Sequence, residues 1–374
     1  MPFTPANDAV VVERLPGRAS DPAVKRVESL RRQLAARPDD ENLRVDIARR
    51  YFEMAMAQGD PRYVGYATAT LSPLAKSSPT HAGYWLVRGL IEQFSHDFQA
   101  ALESLATSSR LDPASSEPLL WRAAIFMVQA RYADAALECQ KLAALNQETL
   151  QIGCSTYAQA VNGQLGAAFA TLLETVRRTP GEVAEVRLWQ LTRLAEMAWR
   201  QQRFEEAEGF FKDALKLGLT DQFLLGAYAD FLLSRGRMNE VITLLADWER
   251  SDILLLRLAL AGRAARDSRA NGWSSQLRDR FQAAEQRGDR LHEQEAARFE
   301  LDIERKPAKA LELAARNYAI QKEPRDAEIL MRAALAAGKP SEAQAALEWL
   351  RDSRYEDVAM SDLARQLVAK GAKP

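Results

Sequence analysis

The stretch LHEQEAARFE, Leu291 to Glu300, opens with a histidine followed by a glutamate. On a helix that pair begins a hydrolytic zinc motif, in which a second histidine four residues on faces the same ion and the glutamate acts as base. The fourth position here is Ala296, so the metal pair is incomplete. His292 is therefore expected on a solvated helix face, and His81 and His96 at the surface. RFEEAEGF, Arg203 to Phe210, crowds Glu205, Glu206 and Glu208 at helical spacing. Acid/base carboxylates need burial or mutual repulsion to separate their pKa values. These three sit beside basic residues, and a solvated face is expected. There is no nucleophile elbow and no Walker loop, and the glycines stand singly, with no phosphate cradle. No catalytic set, metal site or cofactor is expected.

Two cysteines, Cys139 and Cys154, are too few for a disulfide scaffold or a cysteine zinc site. They fall late in one expected helix and early in the next. Two buried free thiols are the expectation; a bridge across the helices is the alternative in an exported protein.

The elements that would position any site follow from composition and pattern. The chain has 374 residues, more than one compact core usually holds, so it forms several domains or one elongated array. A hydrophobic share of 47% is that of a folded protein rather than a disordered one. The net charge of −1 argues against a nucleic-acid surface or a polybasic membrane patch. The longest apolar run, ILLLRLALAG from Ile253 to Gly262, is broken by Arg257 and is too short to cross a membrane. The start, MPFTPANDAVVVERLPGR, lacks a basic head and an apolar core, so no signal peptide is read in it. It reads as an extended arm with a short alternating run at Ala9 to Val12. An exported protein trimmed of its leader and a plain cytoplasmic start both remain open.

A small residue recurs on schedule. Ala67, Ala101, Ala135, Ala168, Ala207, Val241, Ser275, Ala310 and Ala343 follow one another at steps of 34, 34, 33, 39, 34, 34, 35 and 33 residues. Other columns move with it: Gly89 recurs as Ala123, Phe98 as Tyr132 and Phe204, Pro79 as Pro113. Two antiparallel helices of about a dozen residues fill such a period. Their axes approach within about 8 Å only where the facing side chains are small. Gly89 and Ala101 supply that contact, with Trp85 and Leu105 beside them, and Phe98 seals the end of the pair. Ser78-Pro79, Asp112-Pro113, Thr179-Pro180-Gly181 and Glu323-Pro324 punctuate the units.

The pattern resembles the tetratricopeptide repeat, most clearly over Tyr84–Pro113, Leu194–Gly218, Tyr228–Trp248 and Leu330–Leu350. The resemblance implies an all-α, right-handed α-solenoid of eight or nine helical pairs with capping helices. The expected layout is an extended arm at 1–20, a capping helix at 21–39, repeats at 40–250, a degenerate pair at 251–290, repeats at 291–352, and a capping helix with tail at 353–374.

In this family the first helices line a concave face. The matching columns are Leu86, Leu90, Gln93 and Phe94; Leu120, Ala124 and Met127; Trp189, Glu196, Trp199 and Arg200; and Phe223 and Asp230. Leu86 and Leu120 are the positions that core packing claims most readily. Phe94, Met127 and Trp199 are expected to be exposed. The family's carboxylate clamp uses lysine and asparagine where this chain has Leu86 and Leu90, so a helix or extended peptide docked by apolar contacts is expected instead. The arm DAVVVERLP, Asp8 to Pro16, is a further candidate to occupy a groove. The functional expectation is a non-enzymatic scaffold for a protein or peptide, with no nucleic acid and no membrane insertion. An exported assembly factor of an envelope or secretion complex is the alternative.

Overall fold

The computed structural model describes residues 22–76, 80–288 and 290–373. The expected arm, including Ala9 to Val12 and Asp8 to Pro16, lies outside them. Every regular element among the described residues is helical. After a lone helix α1 (Pro22–Ala36) come nine antiparallel pairs. They are α2 (Glu41–Gln58) with α3 (Arg62–Leu71), α4 (Ala82–Phe94) with α5 (Phe98–Leu111), and α6 (Glu117–Val128) with α7 (Tyr132–Lys141). Next are α8 (Glu148–Ala160) with α9 (Leu165–Arg178), α10 (Ala184–Arg200) with α11 (Phe204–Leu215), and α12 (Gln222–Ser234) with α13 (Met238–Leu244). The last three are α14 (Asp252–Ala265) with α15 (Ala270–Arg287), α16 (Glu293–Asp302) with α17 (Pro307–Tyr318), and α18 (Pro324–Ala336) with α19 (Gln344–Ser353). A single helix α20 (Val358–Ala369) closes the array, capped by Asp357, whose carboxylate accepts from the Met360 N–H at 2.9 Å.

The small-residue column is the seam of each pair. Ala67, Ala101, Ala135, Ala168, Ala207, Val241, Ala310 and Ala343 are all 0% exposed. Ser275 is the exception: it is exposed, and its neighbour Ser274 is buried in its place. The column slips by one residue in the 251–290 pair. The glycine contact itself is kept: a Cβ built on Gly262 of the first helix would lie 2.7 Å from Trp273 Cζ3 of the second. In α4 and α5 the same arrangement holds, with Leu105 of the second helix filling the space above Gly89 of the first. Phe98, Tyr132 and Phe204 each occupy the first position of a second helix.

The turn inside each pair has its own recurrent device. One residue in every one of them adopts the left-handed conformation: Gly59, His96, Ala130, Gly163, Gln202, Gly236, Arg266, Arg305 and Gly338. In most of these turns the next N–H then reaches back to a free carbonyl of the first helix. Asp97 N–H bonds Glu92 O at 2.9 Å, Arg131 N–H bonds Phe126 O at 2.8 Å and Arg203 N–H bonds Ala198 O at 2.9 Å. This satisfies an orphan helix-end acceptor and reverses the chain.

Cys139 and Cys154 form a disulfide between α7 and α8, with Cα atoms 5.5 Å apart. The expectation of two free thiols is thus corrected: packing of consecutive pairs brings the two positions to bridging distance. Closing a segment of this size contributes about 3 kcal/mol in the chain-entropy account.

The array curls until its later units meet the turns of its earlier ones. The Lys322 N–H bonds Val128 O at 2.7 Å, and Trp349 Nε1 donates to the Tyr132 hydroxyl at 2.7 Å. Leu165 N–H, at the start of α9, donates to Glu356 Oε2 at 2.6 Å. Glu356 thereby caps a helix whose own N-cap residue, Gln164, makes no side-chain cap bond. Gln321 Nε2 lies 3.3 Å from His96 Nδ1, which places His96 in a contact between units rather than on open surface. Near the other end Gln222 Nε2 donates to Met56 O at 3.0 Å. The C-terminal units thus lie against one edge of the earlier ones and border a partly open hollow.

The seam makes a direct test. Gly89→Val is expected to destabilise the fold by about 1–3 kcal/mol, because its branched side chain must displace Leu105. Gly209→Ala, in α11 with nothing within 4 Å of the new Cβ, is expected to stabilise by about 0.5–1 kcal/mol. Urea midpoints of the two variants check both signs.

Candidate binding cavity

The hollow is a cavity of about 720 Å³ between α8, α10, α12, α14, α16, α18, α20 and the loop before α20. α10 is its main wall. Arg193, Glu196, Met197 and Arg200 follow the spacing of one helix face, so all four look inward.

An alternating stack of rings and guanidinium groups crosses the hollow. The Arg193 guanidinium lies 4.5 Å from the Tyr157 ring centre and 4.3 Å from that of Phe223. Arg325, from the start of α18, lies 5.0 Å from the Phe223 centre. Arg200 sits 3.8 Å over Tyr355 and donates to Ala160 O at 2.7 Å and Glu356 O at 3.1 Å. Each contact joins an early unit to a different one, and two of them reach the C-terminal end of the chain.

Below the stack lies a charge network centred on Asp230. Its carboxylate accepts from Arg257 Nη2 at 2.5 Å and Arg257 Nε at 3.0 Å, and from Arg298 Nη1 at 2.8 Å. Arg257 is only 2% exposed, and it also donates to Gly226 O and Ile253 O. Burial opposes ionisation of Asp230, but the two guanidinium charges outweigh it and hold the carboxyl down at about 2. Arg332 bonds Asp302 at 2.6 Å and lies 3.7 Å from Glu328. Glu328 keeps 49% side-chain exposure to the hollow, yet its enclosure by protein pushes its carboxyl up against the pull of Arg332 and Arg298. Asp326 is buried, and that burial, with Glu323 beside it, pushes it well up.

Of the expected groove residues, the cavity brings together Glu196, Trp199, Arg200, Phe223 and Asp230. Trp199 is half-buried, edge-on to Phe231 at 5.6 Å, rather than exposed. Trp189 stands outside, its ring over Gly153 and edge-on to Tyr157. The N-terminal columns are elsewhere. Leu86 and Leu90 are core residues, Leu120 and Gln93 are half-buried, and Ala124 is exposed. Phe94 and Met127, expected to be exposed, are half-buried against the core of α2 and α4–α7, with Phe94 edge-on to Phe52 at 6.4 Å. The character differs too: an apolar groove was expected, and the lining carries six arginines and five carboxylates. Sequence reading missed Tyr157, Arg193, Arg257, Arg298, Arg325 and Tyr355. One signal was present: Arg257 interrupts the most apolar run of the chain, and a charge placed there requires a buried partner.

Among the described residues no group of histidines, cysteines and carboxylates is arranged to hold a metal. His292 lies 3.8 Å from Glu295 and His81 caps α4, its Nδ1 accepting from Tyr84 N–H at 3.2 Å. Glu208 is ion-paired rather than simply solvated: its bonds from Arg237 hold it at about 2.

No family model matches the chain, and no curated protein sequence matches it. Solved structures do. Human IFIT1, in a dimer with PPP-AAAA, is similar at 12% identity and a TM-score of 0.50 over 88% of this chain and 77% of that one. PilW, a type IV pilus biogenesis factor, is similar at 20% identity and a TM-score of 0.42, over 59% of this chain and 99% of its own. A chain of the APC/C hetero-tetramer Cut9-Hcn1 is similar at 13% identity and a TM-score of 0.43 over 92% of this chain, which spans 52% of its length. At these identities the likeness is one of fold, and the fold is a tetratricopeptide-like α-solenoid.

Asp230→Asn keeps the shape of the network and removes its charge, leaving Arg257 buried without a counter-ion. It is expected to cost roughly 3 kcal/mol at neutral pH. The sign with pH follows from a depressed carboxyl. The stabilisation is complete above the ordinary value of 3.8 and is lost as pH falls toward about 2. Unfolding midpoints of the two proteins should therefore converge in acid.

Proposed function

We propose that the protein is a non-enzymatic scaffold that holds a segment of a partner protein inside the central cavity rather than along an open concave face. The observation that carries this reading is convergence: side chains from α8, α10, α12, α14, α16, α18 and α20 meet on one partly open space. Its volume of about 720 Å³ falls within the roughly 300–1,000 Å³ range of ligand sites. The near balance of arginines and carboxylates in the lining favours a peptide over a nucleic acid, whose phosphates call for a clear cationic excess.

Phe223, which carries two guanidinium groups, is the residue on which this reading turns. Phe223→Ala is expected to lower retention of a partner captured from the native host by about tenfold, because Arg193 and Arg325 lose the ring that seats them. Phe94→Ala, outside the cavity, is expected to retain it. Equal retention by both variants, with unchanged helicity and melting, removes the cavity as the binding site.

A second reading is an exported assembly factor of an envelope or secretion complex. The Cys139–Cys154 bridge favours it, since such bonds persist in oxidising compartments and are rare in the cytosol. Alkylation of protein drawn from its native host under thiol-trapping conditions is expected to leave both cysteines unlabelled. Two labelled thiols would count against export.

A further inference from the structure

The cavity's hydrogen-bonding inventory is unbalanced even though its charge is not. The Arg325 guanidinium makes no hydrogen bond with any described residue and its side chain keeps 35% exposure; its nearest carboxylate oxygen, on Glu323, is 3.9 Å away, beyond hydrogen-bond reach. A guanidinium lying on a ring keeps its five N–H groups in the plane, at its edge. The Tyr157 and Tyr355 hydroxyls likewise have no bonding partner among the described residues. Arg193 is 7% exposed, and its Nε is buried without a partner. The lining also holds open acceptors, Glu328 at 3.7 Å from Arg332 and the Gln294 and Gln366 amides. At Arg325 itself only donors are open, so a ligand that meets that edge must present acceptors to it.

It need not be an anion. Arg193 is paired with Glu196 at 2.8 Å, Arg257 and Arg298 share Asp230, and Arg332 has Asp302. Arg325 already stands in the field of Glu323, Glu196, Asp326 and Glu295, which together support its charge. A further carboxylate there meets four others. Nor is the ligand one that stacks. Phe223 carries Arg193 and Arg325, and Tyr355 is flanked by Arg200 and, at 5.2 Å, by Trp349. A neutral chain presenting a carbonyl every few ångströms remains, which is an extended peptide backbone.

We infer that the cavity recognises an extended, uncharged peptide segment through its main-chain carbonyls, with Arg325, Tyr157 and Tyr355 as the donors. This rests on the reading of the cavity as a peptide site. The test is selection of a random peptide display library on the full protein, followed by affinity measurement of the enriched peptides. Uncharged sequences are expected to be enriched, with affinity changing less than about twofold between low and high salt. Arg325→Met, which keeps the stem, should weaken them roughly tenfold or more, and Tyr157→Phe and Tyr355→Phe should each weaken them several-fold. Replacing backbone amides of a selected peptide by esters, which makes poorer carbonyl acceptors, should weaken it at several positions in the wild-type protein, and the position contacted by Arg325 should lose its sensitivity in Arg325→Met. Enrichment of aspartate- and glutamate-rich peptides with salt-sensitive binding overturns this inference and leaves the peptide site standing. A selection with no enrichment overturns both.

Discussion

Everything in this molecule depends on how closely two helices can lie. An interaxial distance near the lower end of the observed range requires a facing residue with almost no side chain. The chain supplies one in most pairs, with Val241 at the place in α12–α13, and the alanines of that column are completely excluded from solvent. Close axes make each pair thin, and thin pairs stack with a constant small rotation, so curvature accumulates along the array. The Gly262–Trp273 contact repeats the Gly89–Leu105 contact with a larger partner, a glycine on the first helix under a bulky side chain of the second. The pair keeps its form although the second-helix column has slipped from Ser275 to Ser274.

Accumulated curvature explains why the array meets itself. The turns carrying the left-handed residues form one edge of the solenoid, and the C-terminal units arrive at that edge. The contacts they make are mostly single hydrogen bonds, such as Lys322 to Val128 and Glu356 to Leu165, with modest apolar support from Ile320 and Ala130. The continuous core lies within and between neighbouring pairs, its largest part running from α8 to α16. Closure is therefore a secondary layer of organisation, built on a stack that is already held together along its length.

The architecture was legible in the amino-acid sequence because its cause is local. A helix seam needs a small residue at a fixed place, and a fixed period in alanine is visible in one dimension. The turns were only partly legible: Gly59, Gly163, Gly236 and Gly338 mark left-handed positions, but His96, Ala130, Gln202, Arg266 and Arg305 adopt the same conformation without the residue that signals it. The cavity was legible in one half. Glu196, Arg200, Phe223 and Asp230 lie on first helices, where the repeat pattern predicts inward-facing residues. Their partners were hidden because closure is a long-range event. Nothing near Phe223 announces Arg325, a hundred residues away, and nothing near Asp230 announces Arg298. Arg257 carried a local trace, as the one charge in an apolar run. The polar character of the hollow was hidden for the same reason: its lining begins at Tyr157 and draws on the C-terminal units, while Leu86 and Leu90 of the N-terminal columns are covered by their own neighbours.

The choice of arginine within the hollow follows from what closure demands. A side chain here must lie against an aromatic ring of one unit while holding groups from another. A lysine ammonium has no flat face to lay on a ring, whereas a guanidinium presents its face to the ring and its N–H groups sideways. Arg200 does both at once, covering Tyr355 while bonding Ala160 O and Glu356 O. Arg193 uses its face on Tyr157 and Phe223 and its edge on Glu196. Arg325 uses its face on Phe223 and leaves its edge unspent. Because Arg325 and Tyr355 come from the far end of the chain, the cavity is complete only while the array is closed, and whatever binds to that free edge binds both halves of the solenoid together.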